Sequence, residues 1–217
     1  MHYNPITWAD RYLTFVPLED STFQMTKNAV SYSLDGGTTW ETLAANTATP
    51  TVTAGSKIIW KGELTPAYEG FGTFSSSGRF DAKGNPMSLL YGDNFIGKTD
   101  ISDKGNYTFM YLFYNNTNLI NANELSLPAT ELSAACYDYM FLYCTNLITA
   151  PELPATTLAQ SCYYGMFSNC SSLTIAPELP ATTIARSCYR EMFKNCSSLT
   201  LAPELLAINS IDDNSDW

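Results

Sequence analysis

Six cysteines fall into two rows with one spacing. Cys136, Cys162 and Cys188 recur every 26 residues, and Cys144, Cys170 and Cys196 follow each of them eight residues later. Thiols so spaced have three uses. Zinc sites take close pairs two to four residues apart, tighter than these. Disulfides need Cα atoms within ~7 Å; pairing along a row of three leaves one over, while Cys136 to Cys144 within a unit stays open. The favoured reading is buried free thiols, small apolar groups with a weak donor. Glu152, Glu178 and Glu204 form a third row, which Glu124 extends. Stacked carboxylates repel by under ~1 kcal/mol per pair in water, so a solvated edge tolerates them; a bridging divalent cation such as Ca²⁺ is the sharper use. His2 is the only histidine, and any Ser-His-Asp arrangement would have to use it. The expectation is a non-enzymatic chain with no catalytic residue, no metal ligand and no cofactor.

The elements that position these rows are repeats. Leu127–Glu152 reads LPATELSAACYDYMFLYCTNLITAPE, Leu153–Glu178 reads LPATTLAQSCYYGMFSNCSSLTIAPE, and Leu179–Glu204 reads LPATTIARSCYREMFKNCSSLTLAPE. They align without gaps at a period of 26. A degenerate unit precedes them, with Tyr111-Leu112-Phe113 in place of Tyr139-Met140-Phe141 and Asn116 in place of the second cysteine. A period in the twenties predicts a solenoid, because one unit is too small to bury its apolar face. Leu153, Leu158, Met166, Phe167, Leu173 and their equivalents are the expected core ladders. The apolar spacing of SCYYGMF predicts one or two helical turns. Pro177 and Pro180 hold 173–179 extended. The expected unit is therefore one short strand plus one short helix.

The run C-x-x-L-x-x-A-P-x-L-P-A-T-x-L-A-x-x-C-Y-x-x-M-F-x-x-C resembles the BspA-like (Treponema-type) leucine-rich repeats of anaerobe surface proteins. The resemblance covers about residues 107–205 and recurs three times. The unit here is slightly longer, carries an Ala-Pro pair before Leu-Pro, and has a second cysteine. The resemblance implies a curved solenoid used for adhesion or recognition. On that reading Ile148, Thr149, Thr174, Ile175, Thr200 and Leu201 flank the repeat leucines on the strand, and part of each pair reaches the exposed face. They and Glu152, Glu178 and Glu204 are the candidate ligand-binding residues. Tyr137, Tyr163 and Tyr189 are expected as packed rungs rather than a sugar-stacking platform.

Before Tyr107 the texture changes. Tyr12–Pro17, Ser21–Met25, Val30–Leu34, Thr39–Leu43 and Lys57–Trp60 are rich in β-branched and aromatic residues and are separated by turn formers, which predicts an antiparallel sandwich. Tyr68–Gly78 reads as a long loop, and Ser88–Tyr91 as a last strand. Between two of the segments lies Ser33-Leu34-Asp35-Gly36-Gly37-Thr38-Thr39-Trp40, which resembles the Asp-box of sialidases. That resemblance carries no sialidase chemistry here. Such enzymes are six-bladed propellers with an arginine cluster, whereas this chain has one such box, 217 residues and four arginines. The box is read as a hairpin turn.

The expected architecture is thus mixed: residues 1–100 an immunoglobulin-like antiparallel β-sandwich, and 101–217 a short leucine-rich-repeat solenoid with an acidic tail. Asp212, Asp213 and Asp216 would blunt its end, where Leu206 replaces the repeat proline. The net charge of −10 repels phosphate backbones, so nucleic acid is not an expected partner; no run of 18 or more apolar residues predicts membrane insertion. The expected partner is a protein or a cell-surface glycan, with self-association through the uncapped last repeat. MHYNPITWADRY shows no signal-peptide pattern. The location is the cell surface if a leader was removed. Otherwise it is a virion, since repeat modules behind small β-domains also occur in fibres and decoration proteins of phages infecting gut anaerobes.

Overall fold

The computed structural model describes residues 7–65, 70–201 and 203–204. His2 and the acidic tail, including Leu206, Asp212, Asp213 and Asp216, lie outside them. Eight strands are defined: β1 Leu13–Pro17, β2 Phe23–Met25, β3 Val30–Ser33, β4 Glu41–Leu43, β5 Ile58–Lys61, β6 Phe74–Ser76, β7 Phe80–Gly84 and β8 Leu119–Leu125. Six of them form one sheet in the order β4-β3-β5-β1-β7-β8, and β2 pairs β6 in a separate ribbon. Every pair is antiparallel except β7–β8, which is parallel. The expected antiparallel sandwich is therefore corrected to a mixed sheet faced by a two-stranded ribbon. The sixth strand comes from residues 119–125, beside the repeats, and its entry from that side makes the pairing parallel. Ser88–Tyr91, expected as a strand, is one turn of helix. Asn85 explains it: its side-chain oxygen accepts the Met87 N–H at 2.9 Å and starts the turn.

Aromatic rings fill the space between sheet and ribbon. Phe15 of β1 meets Phe23 of β2 at 5.4 Å, Phe74 of β6 at 4.9 Å and Phe80 of β7 at 4.9 Å between ring centroids. Phe113, from the first repeat, joins the same cluster at 5.8 Å from Phe15. One buried core runs from Leu13 to Cys196.

The solenoid of strand-plus-helix units is also corrected. Apart from β8, the described repeats hold isolated bridges such as Thr149↔Ile175, and no helix. The stretch expected to be helical is instead a ribbon of overlapping turns. In the second unit the N–H groups of Asp138, Met140, Leu142 and Cys144 each bond the carbonyl three residues back. The N–H groups between them point out of the unit: Tyr137 donates to the Cys162 carbonyl at 2.9 Å, Tyr139 to Tyr164 at 2.8 Å and Phe141 to Met166 at 2.9 Å. Odd residues thus tie rung to rung, and even residues close the turns. Every fourth residue has positive φ: Ala135, Tyr139 and Tyr143, then Ser161, Gly165 and Asn169, then Ser187, Glu191 and Asn195. A helix tolerates no such series. The apolar pattern misleads because Cys162, Tyr163, Met166, Phe167 and Cys170 recur at a period of four, close to the helical 3.6.

The rungs stack side chain on side chain. Phe113, Phe141, Phe167 and Phe193 form one ladder with centroids 5.3–5.8 Å apart and planes within 8°. Phe109, Tyr137, Tyr163 and Tyr189 form another, within 10°. All six cysteines are free and buried. The second row makes specific bonds between rungs. Cys144, Cys170 and Cys196 donate their thiols to the carbonyls of Phe113, Phe141 and Phe167 on the rung before, at 3.0, 3.1 and 3.0 Å. Asn116 fits the same rule. The rung before it is replaced by β6, and its amide donates to the Phe74 carbonyl at 3.0 Å. The segment before and within β6 covers this first rung, with the Phe74 N–H on the Leu112 carbonyl at 2.9 Å.

Two outcomes follow from this packing. Gly165 has φ +53°, and a Cβ there would stand 2.4 Å from the Tyr139 ring. Gly165→Ala is expected to lower stability by roughly 1–3 kcal/mol, read from urea midpoints. Burial pushes the Cys144 thiol up to about 12 and Cys196 to about 11 from an ordinary 9.0. Raised folded-state values give stability that is full below pH 9.0 and lost from there up to about 12. The urea midpoint should hold below that window and fall within it, and the folded chain should resist a thiol reagent at pH 8. Six fast-reacting thiols in the folded state would contradict the ladder.

Candidate functional site

Two Ala-Pro-Glu-Leu-Pro segments, 150–154 and 176–180, close successive repeats, and their prolines hold the backbone extended. Leucines there point inward: Leu153 is 3% and Leu179 1% exposed. The alternate positions therefore point outward, and Glu152, Glu178 and Glu204 are all exposed. They line consecutive hollows. One of ≈ 370 Å³ lies among Glu152, Pro154, Glu178 and Pro180, and one of ≈ 320 Å³ among Glu178, Pro180, Pro203 and Glu204. A third, ≈ 360 Å³, joins Glu152 and Pro154 to Trp8, Asn123 and Glu124. Shared residues make the three continuous along the rungs. None of the three glutamates has a cation or hydrogen-bond partner among the described residues.

Glu124 differs. It takes the ammonium of Lys83 and the indole N–H of Trp8, the latter at 2.9 Å. The Lys83 hydrogen bond first, and then that of Trp8, holds its carboxyl below the usual range. Lys83 and Arg11 both stand over the Trp8 ring, 5.4 and 5.3 Å from its centroid. Among the described residues no group of three or more His, Cys, Asp or Glu side chains is placed to hold a metal ion.

The other candidates sit on the bridged segments beside the hollows. Ile148, Thr174, Ile175, Thr200 and Leu201 are exposed and Thr149 is half-buried. The bridges Asn121↔Thr149 and Thr149↔Ile175 set them in neighbouring rows. The Thr149 hydroxyl is occupied by the side-chain oxygens of Asn121 and Asn123, at 3.1 and 3.2 Å, and that of Thr174 by the Ile148 carbonyl at 3.3 Å. What this edge offers is therefore apolar: Ile148 is 42%, Ile175 75% and Leu201 80% exposed. None of the six lines the three hollows, so apolar row and glutamate row are adjacent but separate. Trp8, Lys83 and Asn123 were not legible as site residues; the Trp8–Glu124 bond spans 116 positions.

The Ser33–Trp40 stretch is a turn, as its residues require. It links β3 to β4, with Tyr32 opposite Glu41. The Asp35 carboxylate accepts the Thr39 N–H and hydroxyl at 2.9 and 2.7 Å, and the Ser33 oxygen accepts the Gly37 N–H at 2.9 Å. These bonds, the Thr39 N–H foremost, hold Asp35 far below the usual carboxylate range. An acid so committed to its own turn carries no free chemistry.

No family model, curated protein or solved structure matches the chain.

One buried acid stands apart from both rows. Asp138 is 8% exposed, and its Oδ1 has no hydrogen-bond partner among the described residues. Burial pushes its carboxyl from 3.8 up to about 7. A raised value means its contribution to stability is full below pH 3.8 and lost as pH climbs to about 7. Asp138→Asn should therefore raise the melting temperature at pH 8 and change it far less near pH 4, where the folded acid is neutral. Equal effects at both pH values would contradict the buried, unpaired carboxylate.

Proposed function

We propose that the chain is a non-enzymatic recognition module that binds a protein partner at a surface, through the edge formed by the apolar row and the adjacent glutamates. The observation that carries this is the exposure of Ile175 and Leu201 at one repeat position, with Ile148 exposed at the neighbouring position one rung earlier, beside carboxylates that no cation in the described chain engages. Isolated exposed apolar residues are ordinary, whereas several on consecutive rungs with a charged border are the pattern of a contact surface. A polypeptide fits better than a glycan. The tyrosines that would stack a sugar ring, Tyr137, Tyr163 and Tyr189, are 1–4% exposed and serve as rungs. The likeness of the repeats to BspA-like surface repeats supports the same reading, and with it a place at the cell surface. A structural role in a virion is the second reading, favoured by the N–H groups of Ser187, Glu191, Phe193 and Asn195, which meet no acceptor among the described residues.

The test is selection of ligands from a displayed peptide library and from a glycan array. Hits are then measured again with the Ile175→Ser/Leu201→Ser and Glu178→Lys variants. Peptide ligands enriched in basic and apolar residues are expected, with affinity reduced about tenfold or more by either change. Glycan hits alone, or peptides indifferent to both variants, would overturn the reading.

A further inference from the structure

The rung bonding has a direction. In the three rungs that have a successor, odd-numbered N–H groups donate forward: Ser161, Tyr163, Gly165, Phe167 and Asn169, for example, reach the carbonyls of Arg186, Cys188, Arg190, Met192 and Lys194 at 2.7–3.0 Å. The last rung repeats the backbone, with positive φ at Ser187, Glu191 and Asn195 and closed turns at Cys188, Arg190, Met192, Lys194 and Cys196. Its forward N–H groups on Ser187, Glu191, Phe193 and Asn195 meet no acceptor in the described chain. The thiol rule breaks off at the same place. The carbonyls of Phe113, Phe141 and Phe167 each take a cysteine thiol from the following rung, whereas among the described residues the Phe193 carbonyl takes only the Cys196 N–H, at 3.1 Å.

We infer that this last rung is a docking edge for a further polypeptide rung supplied by a partner chain, one that presents a row of backbone carbonyls. The chemistry selects the occupant. The edge offers forward N–H donors, so two copies meeting end to end would set donors against donors. Head-to-tail stacking of copies is closed as well, because the first rung is covered by β6 and the segment before it, with the Leu112 carbonyl already taken by Phe74. A partner segment that fits adopts the same turn ribbon. It carries residues tolerant of positive φ at every fourth position, as Ser187, Glu191 and Asn195 do here, an aromatic ring to stack on Phe193, and a thiol or amide to reach the Phe193 carbonyl. This is strand addition carried out with turns: backbone bonds supply attraction, and the stacked side chains supply register. It is independent of the apolar and glutamate rows, which lie on another side of each unit.

The experiment is residue-resolved amide hydrogen exchange on the full chain, at low concentration, with and without a synthetic peptide of the sequence Leu179–Glu204. Without peptide, the amides of Ser187, Glu191, Phe193 and Asn195 are expected to exchange fast and those of Cys188, Met192 and Lys194 slowly. Saturating peptide should slow the first set by about tenfold or more, and the same peptide carrying Tyr189→Ser and Phe193→Ser should not. Three results would overturn the proposal. The first set is already protected in the isolated chain, so residues after Glu204 cover the edge. Protection grows with protein concentration alone, so copies of the chain cover it. The peptide leaves exchange unchanged.

Discussion

Every backbone polar group that leaves water must find a partner, and in residues 137–144 and 161–170 one alternating rule meets that demand. Even-numbered N–H groups close turns on carbonyls three residues back, and odd-numbered ones reach the next rung. A buried donor left unpaired costs roughly 1–3 kcal/mol, so shifting the register by one residue would forfeit far more than a domain's net stability of about 5–15 kcal/mol. The rule also fixes which side chains face inward. Each inter-rung bond sets a residue over its equivalent one repeat later, which is why ring planes in the phenylalanine ladder agree within 8°.

The cysteines take their meaning from that rule. A thiol is small enough for the interior, apolar enough to be desolvated cheaply, and still carries one donor. The Phe113, Phe141 and Phe167 carbonyls have a spare lone pair directed at the following rung, and the second cysteine row fills it. Where the neighbouring layer is a strand instead of a rung, asparagine replaces cysteine and the same position bonds Phe74 of β6. Raised thiol pKa values are a consequence of this burial and keep the donor proton in place. The outward consequence is the proline-glutamate edge and its neighbouring apolar row, positioned by the same 26-residue advance.

Much of this was legible in the residues, for reasons that can be named. The repeat period, the inward leucines and the exposure of Glu152, Glu178 and Glu204 follow from counting alone. Strands β1 to β5 announce themselves by composition, and the Asp-box by its serine, aspartate and glycines. The turn ribbon was hidden because a period of four in apolar residues imitates a helix. Its signature, a residue tolerant of positive φ before the second cysteine (Asn169 and Asn195), is weakened by Tyr143 at the equivalent place. Strand β6 lay in a run rich in glycine and serine, where pairing with β2 and cover over the first rung outweigh propensity. β8 was unreadable as part of the sheet because its partner β7 is remote in sequence, and Trp8 was missed for the same reason.

The central claim is the alternation of backbone bonds, and NMR scalar couplings measured across hydrogen bonds test it most directly. Couplings are expected from the amide nitrogens of Tyr137, Tyr139 and Phe141 to the carbonyl carbons of Cys162, Tyr164 and Met166. Couplings are also expected from Asp138 and Met140 to the carbonyls of Ala135 and Tyr137, three residues back. Couplings from Tyr139 and Phe141 to carbonyls four residues back would instead show a helical unit, and would contradict the account of the rungs, the thiols and the edge that ends them.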